Sequence, residues 1–164
     1  MSGEEREIFG KIIKCCLAAA FVCFLDQLSK VYIIQFFRQG DTVPIIKNVF
    51  HFTLLYNTGA AFGILKSHPE VFVLISLVSI IFIGIVLTYG PGNRGLMENT
   101  ALCFILGGAS GNLIDRMRLG YVIDFIDFRV WPVFNIADSF ITIGAVMLIF
   151  AIAKKHLGGR VIQR

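Results

Sequence analysis

The chain has 164 residues, of which 56% are hydrophobic and 16% charged, and its mean hydropathy is +0.77. A water-soluble domain of this size cannot hide so much apolar surface, so lipid must solvate much of it. The formal net charge of +4 does not indicate a nucleic-acid partner, because the basic residues flank apolar runs and form no stripe.

Residues 1–11 are polar and mixed in charge, a short solvated lead-in. The first span is expected over about 12–37, enough for a membrane helix of about twenty residues. No cleavable signal peptide is expected, because a small-residue cleavage site is missing and further spans follow. Asp26, Gln27, Ser29, Lys30 and Gln35 gather toward the end of this span. Asp26 and Lys30, four apart, share a helix face and can pair while the lysine stem snorkels to the interface.

Residues 38–69 are too polar and broken to span. Phe50, Phe52, Leu54 and Tyr56 alternate with His51, Thr53 and Leu55, the period of a half-buried strand, and Pro44, Asn48 and Gly59 punctuate the segment. A small sheet at the membrane surface is expected here, ending in the stretch from Asn57 to Phe62. A second span, 71–89, has no charged residue, and Gly90 to Gly95 reads as a tight turn. A third span, about 96–114, carries Gly107 and Gly111 at the spacing that lets helix backbones approach closely. Residues 116–135 form a second polar, partly extended loop, and a fourth span covers about 136–153.

The architecture implied is an all-α integral membrane protein, one polytopic domain over 1–164 with four transmembrane helices and a small β element at the outer face. Basic residues crowd the short ends and the tight turn (Arg6, Lys11, Lys14, Arg94, Lys154, Lys155, Arg160 and Arg164), which favours cytoplasmic termini. That topology gathers Asp26, Asp115, Asp124 and Asp138, with Asn57, Asn112 and Asn135, at one level near the outer interface.

Two neighbouring carboxylates cannot both ionise cheaply, so they share a proton; one activates a water while the other polarises a carbonyl. Asp138 falls in the first turn of the fourth span, where the helix dipole favours its charge. Asp124, in an extended segment among apolar neighbours, suits the proton-holding role, and these two form the candidate dyad. Asp127 reads as a solvated ion pair with Arg129. Asn112, Asp115 and Arg116 read as a positioning network, although Asp115 is itself a candidate acid, and Asn57 fits turn chemistry. The histidines (His51, His68, His156) lie in different segments, which disfavours a metal site. Cys15, Cys16, Cys23 and Cys103 read as small hydrophobes with no disulfide framework. A transporter would want acids at the bilayer midplane and broken helices, and neither is evident. A non-enzymatic assembly factor would tolerate Asp-to-Asn changes at both positions.

The ordered motifs Asp26-Gln27-x-x-Lys30, Asn57-x-Gly59-Ala60-Ala61-Phe62, Gly111-Asn112-x-x-Asp115-Arg116, Val122-x-Asp124-Phe125 and Phe134-Asn135-x-Ala137-Asp138 resemble bacterial lipoprotein signal peptidase (signal peptidase II) over nearly the whole chain. The resemblance implies an aspartic endopeptidase of the bacterial inner membrane, with its site near the periplasmic face. It would remove signal peptides from prolipoproteins just before a diacylglyceryl-modified cysteine. It assigns catalysis to Asp124 and Asp138, and supporting roles to Asn57, Gly59, Asn112, Asp115, Arg116 and Asn135. Asp26 and Lys30 become structural polar residues. No cofactor or metal is expected; the partners are the lipid-modified prolipoprotein and membrane lipids, and the working form is a monomer.

Overall fold

A computed structural model describes residues 3–59, 69–90 and 94–161. Its elements in chain order are α1 (Gly3–Phe36), β1 (Thr42–Ile46), β2 (Phe50–Asn57), α2 (Pro69–Tyr89), α3 (Leu96–Leu119), β3 (Val122–Asp127) and α4 (Ile136–Val161). Among the described residues three helices are long and apolar enough to cross a membrane: Phe9–Phe36, Glu70–Tyr89 and Ile136–Lys155. The bundle is inverted relative to a soluble protein. Leu74, Val78, Ile81 and Phe82 of α2 lie on the surface, whereas Asp26, Lys30, Asn112 and Asp115 are buried. That distribution is stable only with an apolar solvent outside.

The polar lead-in is helical and continuous with the first span, since α1 already begins at Gly3, and Arg6 and Lys11 are exposed on it. Residues 60–62, at the end of the stretch expected to close the surface sheet, His68, and Pro91, Gly92 and Asn93 of the turn lie outside the described residues. At the near side of that turn Arg94 donates to the Leu87 carbonyl (3.0 Å) and to Asn99 Oδ1 (3.1 Å).

Helix α3 is the hub, packed against α1, α2 and α4. Lipid offers no hydrophobic drive for helix association, so close backbone contact must supply it. A Cβ on Gly107 would sit 2.6 Å from the Ala19 carbonyl oxygen, and one on Gly108 would sit 2.5 Å from that of Ala137. One turn from the Gly107–Ala19 crossing, Cys15 and Cys103 come together with Cα atoms 5.1 Å apart and are joined as a disulfide. This corrects the reading of all four cysteines as isolated hydrophobes. The pairing comes from the glycine-mediated approach of α1 to α3, which sequence spacing cannot reveal.

The sheet is antiparallel, in the order β1-β2-β3. Its third strand comes from the 116–135 stretch, beyond the 38–69 region expected to supply the β element. Pro44 lies within edge strand β1, where a missing N–H costs no ladder bond. Ile33 of α1, Leu54 of β2 and Ile123 and Phe125 of β3 form a small core that fastens the sheet to the end of α1. The turn after α3 closes on Gly120, whose left-handed φ of 79° lets its N–H reach the Arg116 carbonyl. That reversal delivers β3 directly beside the helix bundle.

Replacing Gly108 by Ala therefore lowers stability by about 1–3 kcal/mol, because neither the α4 backbone nor Ile141 can retreat freely. Gly84 on α2 has nothing within 4 Å of the place an added methyl would occupy, and Gly84→Ala is neutral or better. Thermal unfolding of both variants in detergent checks the contrast.

Candidate active site

Five elements contribute side chains to one polar cluster. Helix α1 presents Asp26, Gln27 and Lys30 at i, i+1 and i+4, and α3 presents Asn112, Asp115 and Arg116. Strand β2 ends at Asn57, β3 carries Asp124, and α4 opens at Asn135 and Asp138.

At the base lies Lys30, only 2% exposed. Its ammonium donates to Asp26 Oδ2 (2.7 Å), Asp115 Oδ2 (2.8 Å) and Asn112 Oδ1 (3.1 Å). The expectation that its stem snorkels to the interface is thus wrong. Two buried carboxylates hold the ammonium inside, and releasing it would leave both uncompensated. Asp115 also accepts from Gln27 Nε2 (2.8 Å) and from the Ile123 N–H (3.2 Å). Asp115 is thus tied to α1 and to the β3 backbone, and unlike Asp124 and Asp138 it does not line the cavity described below. Asp26 accepts from the Ala137 N–H (2.9 Å), so it holds the first turn of α4.

Above this base runs a chain of carboxamides. Asn112 Nδ2 donates to Asp138 Oδ1 (2.7 Å), and Asn135 Nδ2 donates to both Asn112 Oδ1 (3.0 Å) and Asp124 Oδ1 (2.7 Å). Asn57 Nδ2 donates to Asp124 Oδ2 (2.8 Å), while its own Oδ1 accepts from the Gly59 N–H (3.0 Å). Asn57 is therefore a turn residue and an Asp124 ligand at once. Asn135 is also the N-cap of α4, its Oδ1 accepting from the Asp138 N–H (2.9 Å).

The two candidate acids differ. Asp124 is 2% exposed with both oxygens satisfied. Asp138 is half-buried, and its Oδ2 has no hydrogen bond among the described residues. Burial and then the nearby charge of Asp138 push the Asp124 carboxyl up to about 7, against the pull of Asn57, Asn135 and Lys30. Both acids line a cavity of about 930 Å³ with Asn57, Gly59, Asn112 and Arg116. The Arg116 guanidinium lies 5.3 Å from the centre of the Phe72 ring, which fixes a cation at the cavity wall. Among the described residues no three His, Cys, Asp or Glu side chains converge as a metal site.

Asp127 is paired with Arg129 at 3.1 Å, but it is 4% exposed and not solvated. Thr53 Oγ1 donates to it from β2 (2.7 Å), which a reading of β3 alone could not foresee. Two further participants were missed. Gln27 stands within a motif and bridges Asp26, Asp115 and the Gly111 carbonyl; Phe72 comes from a span, 71–89, that has no charged residue.

The fold and this cluster define a helical membrane protein with a carboxylate- and carboxamide-lined cavity at one end of its bundle. Residues 18–154 match the family model described as Signal peptidase (SPase) II, and the chain belongs to that family. The lipoprotein signal peptidase of Caldanaerobacter subterraneus subsp. tengcongensis is 49% identical over 134 residues, covering 79% of this chain and 88% of that one. The lipoprotein signal peptidase of Halothermothrix orenii is 46% identical over 133 residues, covering 81% and 90%. A bacterial membrane enzyme solved by the in meso method at 2.3 Å superposes with a TM-score of 0.81 at 34% identity, over 88% of this chain and 90% of that one.

Because the Asp124 carboxyl is raised on folding, its contribution to stability is complete below its unfolded value near 4 and is lost as pH rises toward about 7. The melting temperature of the wild type relative to Asp124→Asn therefore falls between about pH 4 and pH 7 and levels off above. A pH-independent difference would contradict the raised carboxyl.

Proposed function

We propose that this chain is a membrane aspartic endopeptidase that removes the signal peptide from diacylglyceryl-modified prolipoproteins, cutting before the lipidated cysteine. The observation that carries this reading is the unbroken chain Asp124–Asn135–Asn112–Asp138, which connects two acids on one cavity through two carboxamides. Family membership and the lipoprotein signal peptidases among its relatives supply the substrate class.

In this mechanism Asp124 holds the shared proton, in keeping with its raised carboxyl, and Asp138 is the base. Asp138 Oδ2 takes a proton from water as the oxygen attacks the scissile carbonyl carbon, and Asp124 gives its proton to the carbonyl oxygen. In the second step Asp138 returns its proton to the leaving nitrogen, the C–N bond breaks, and Asp124 recovers a proton from the diol. Neither a metal nor another cofactor enters. Asn57, Asn112 and Asn135 hold the carboxylates, Asp115 anchors the strand, and Arg116 and the main chain around Gly59 position the peptide. Asp26 and Lys30 serve structure.

The lipid setting completes the reading. The chain forms one polytopic domain with four spans, α3 being the fourth membrane-crossing helix, its apolar demand reduced because its neighbours cover it. The termini face the cytoplasm, and the cavity lies at the periplasmic face of the bacterial inner membrane, where acyl chains meet headgroups. Each buried methylene of a diacyl substrate contributes about 0.8 kcal/mol, so membrane partitioning supplies much of the binding. The protein works as a monomer, with membrane lipids around it and no nucleic-acid partner.

Purified wild type is expected to cleave a diacylglyceryl prolipoprotein before its modified cysteine. Asp124→Asn and Asp138→Asn, each verified as folded, lose about a thousandfold or more in kcat. Full cleavage by either variant removes that residue from the dyad.

A further inference from the structure

Asp127 has no part in the mechanism above, yet it is among the most completely engaged carboxylates in the protein. Its Oδ1 accepts from the Arg129 N–H (2.8 Å), and its Oδ2 accepts from Arg129 Nη1 (3.1 Å) and Thr53 Oγ1 (2.7 Å). Thr53 in turn contacts Thr42 Oγ1 at 3.1 Å, so the carboxylate is tied back through β2 to β1. Burial alone would raise the Asp127 carboxyl; these donors outweigh it and hold the carboxyl below its ordinary range.

What these bonds secure is an unfavourable backbone. Arg129 has a φ of 67°, a left-handed conformation that a side chain with a Cβ adopts at a cost. The chain leaves β3 through this residue and returns at Phe134, which pairs with Ile126 through main-chain bonds of 2.8 and 3.0 Å. Phe128 and Phe134 stack across the mouth of the loop, 5.9 Å between ring centres. The segment between, with Trp131, Pro132 and Val133, lines the cavity that holds Asp124 and Asp138. The loop is thus defined by the strand bridge at one end and by the Asp127 hook at the other.

We propose that Asp127 is a positioning residue for substrate: by bonding the Arg129 N–H it fixes the left-handed turn that sets the 128–133 loop as a wall of the substrate cavity. The inference rests on the proposed peptidase activity for its substrate and extends it to the residue that shapes that wall. Asp127 touches neither reacting acid, so it acts on substrate binding and not on bond cleavage.

Trp131 is the sole tryptophan of the chain, so its emission reports on this loop alone. In Asp127→Ala, the emission maximum of Trp131 shifts and its quenching by acrylamide changes. KM for a diacylglyceryl prolipoprotein rises roughly tenfold, while kcat stays within about twofold. Arg129→Pro leaves the carboxylate in place but forbids the left-handed φ and removes the N–H. It reproduces the Trp131 change and serves as the test if Asp127→Ala does not fold. Arg129→Gly keeps the N–H and the left-handed freedom, and retains the wild-type spectrum.

A wild-type spectrum in Asp127→Ala or in Arg129→Pro overturns the proposal. So does a fall in kcat at unchanged KM, which would put Asp127 in the chemistry. A changed spectrum in Arg129→Gly overturns the backbone hook in favour of the guanidinium. If no form of the protein cleaves the substrate, the peptidase reading fails on its own, and the fluorescence of the three variants still decides whether the hook exists.

Discussion

The site depends on the burial of one ammonium group. Lys30 has three donors and no acceptor, so every group around it must present oxygen. Asn112 consequently turns its carbonyl oxygen toward Lys30 and its NH2 toward Asp138. Asn135, facing the same oxygen of Asn112, must offer its NH2 there, and this NH2 also reaches Asp124. Its remaining oxygen is left to cap α4. The direction of each carboxamide thus follows from a cation that touches neither candidate acid. The two carboxylates that compensate Lys30 perform a second task. Asp115 holds the N–H of Ile123, the residue before Asp124, and Asp26 holds the N–H of Ala137, the residue before Asp138. A single buried cluster therefore positions the backbone beside each member of the pair.

Burying such a cluster costs several kcal/mol per ion before pairing, and the bundle tolerates it because its helices are held by other means as well. The close approaches at Gly107, Gly108 and Gly144, and the Cys15–Cys103 link, fix α1 and α4 against α3 without polar groups. Gly111 connects the two systems. A Cβ there would sit 2.5 Å from Asp26 Oδ2, so the absence of a side chain is what lets the Asp26 carboxylate lie against α3. The same crowding explains the composition of α3. A helix covered by three neighbours needs small and polar residues more than lipid-facing ones, and it stands outside the three most apolar helices for that reason.

Much of this was legible in the residues. The apolar run after Pro69 is an uninterrupted helix, the alternation from Phe50 to Tyr56 is a strand, and the polar residues from three helices and two strands do converge. What sequence could not supply was partnership across elements. A lysine four residues from an aspartate reads as an interfacial pair, and nothing local to α1 announces that Asp115 and Asn112 will enclose it. Asp127 beside Arg129 reads as a solvated pair until Thr53 is brought against it by the β2–β3 ladder. The strand from Val122 to Asp127 was legible as extended chain, but its membership of the sheet depended on pairing with residues some seventy positions earlier.

The interposed amides also answer a question of electrostatics. Had Lys30 touched Asp124 directly, a buried ion pair would have held that carboxyl ionised, as neighbouring cations do elsewhere. Instead the ammonium is separated from Asp138 by one carboxamide and from Asp124 by two. Its charge reaches Asp124 only as a weak pull, smaller than burial, the Asp138 charge and the two amide bonds. Asp124 is thereby oriented as firmly as an ion pair would orient it, yet it is left free to keep a proton near neutral pH. Orientation without ionisation is what an acid in a shared-proton pair requires. Carboxamides provide it because they donate strong directional bonds and carry no net charge.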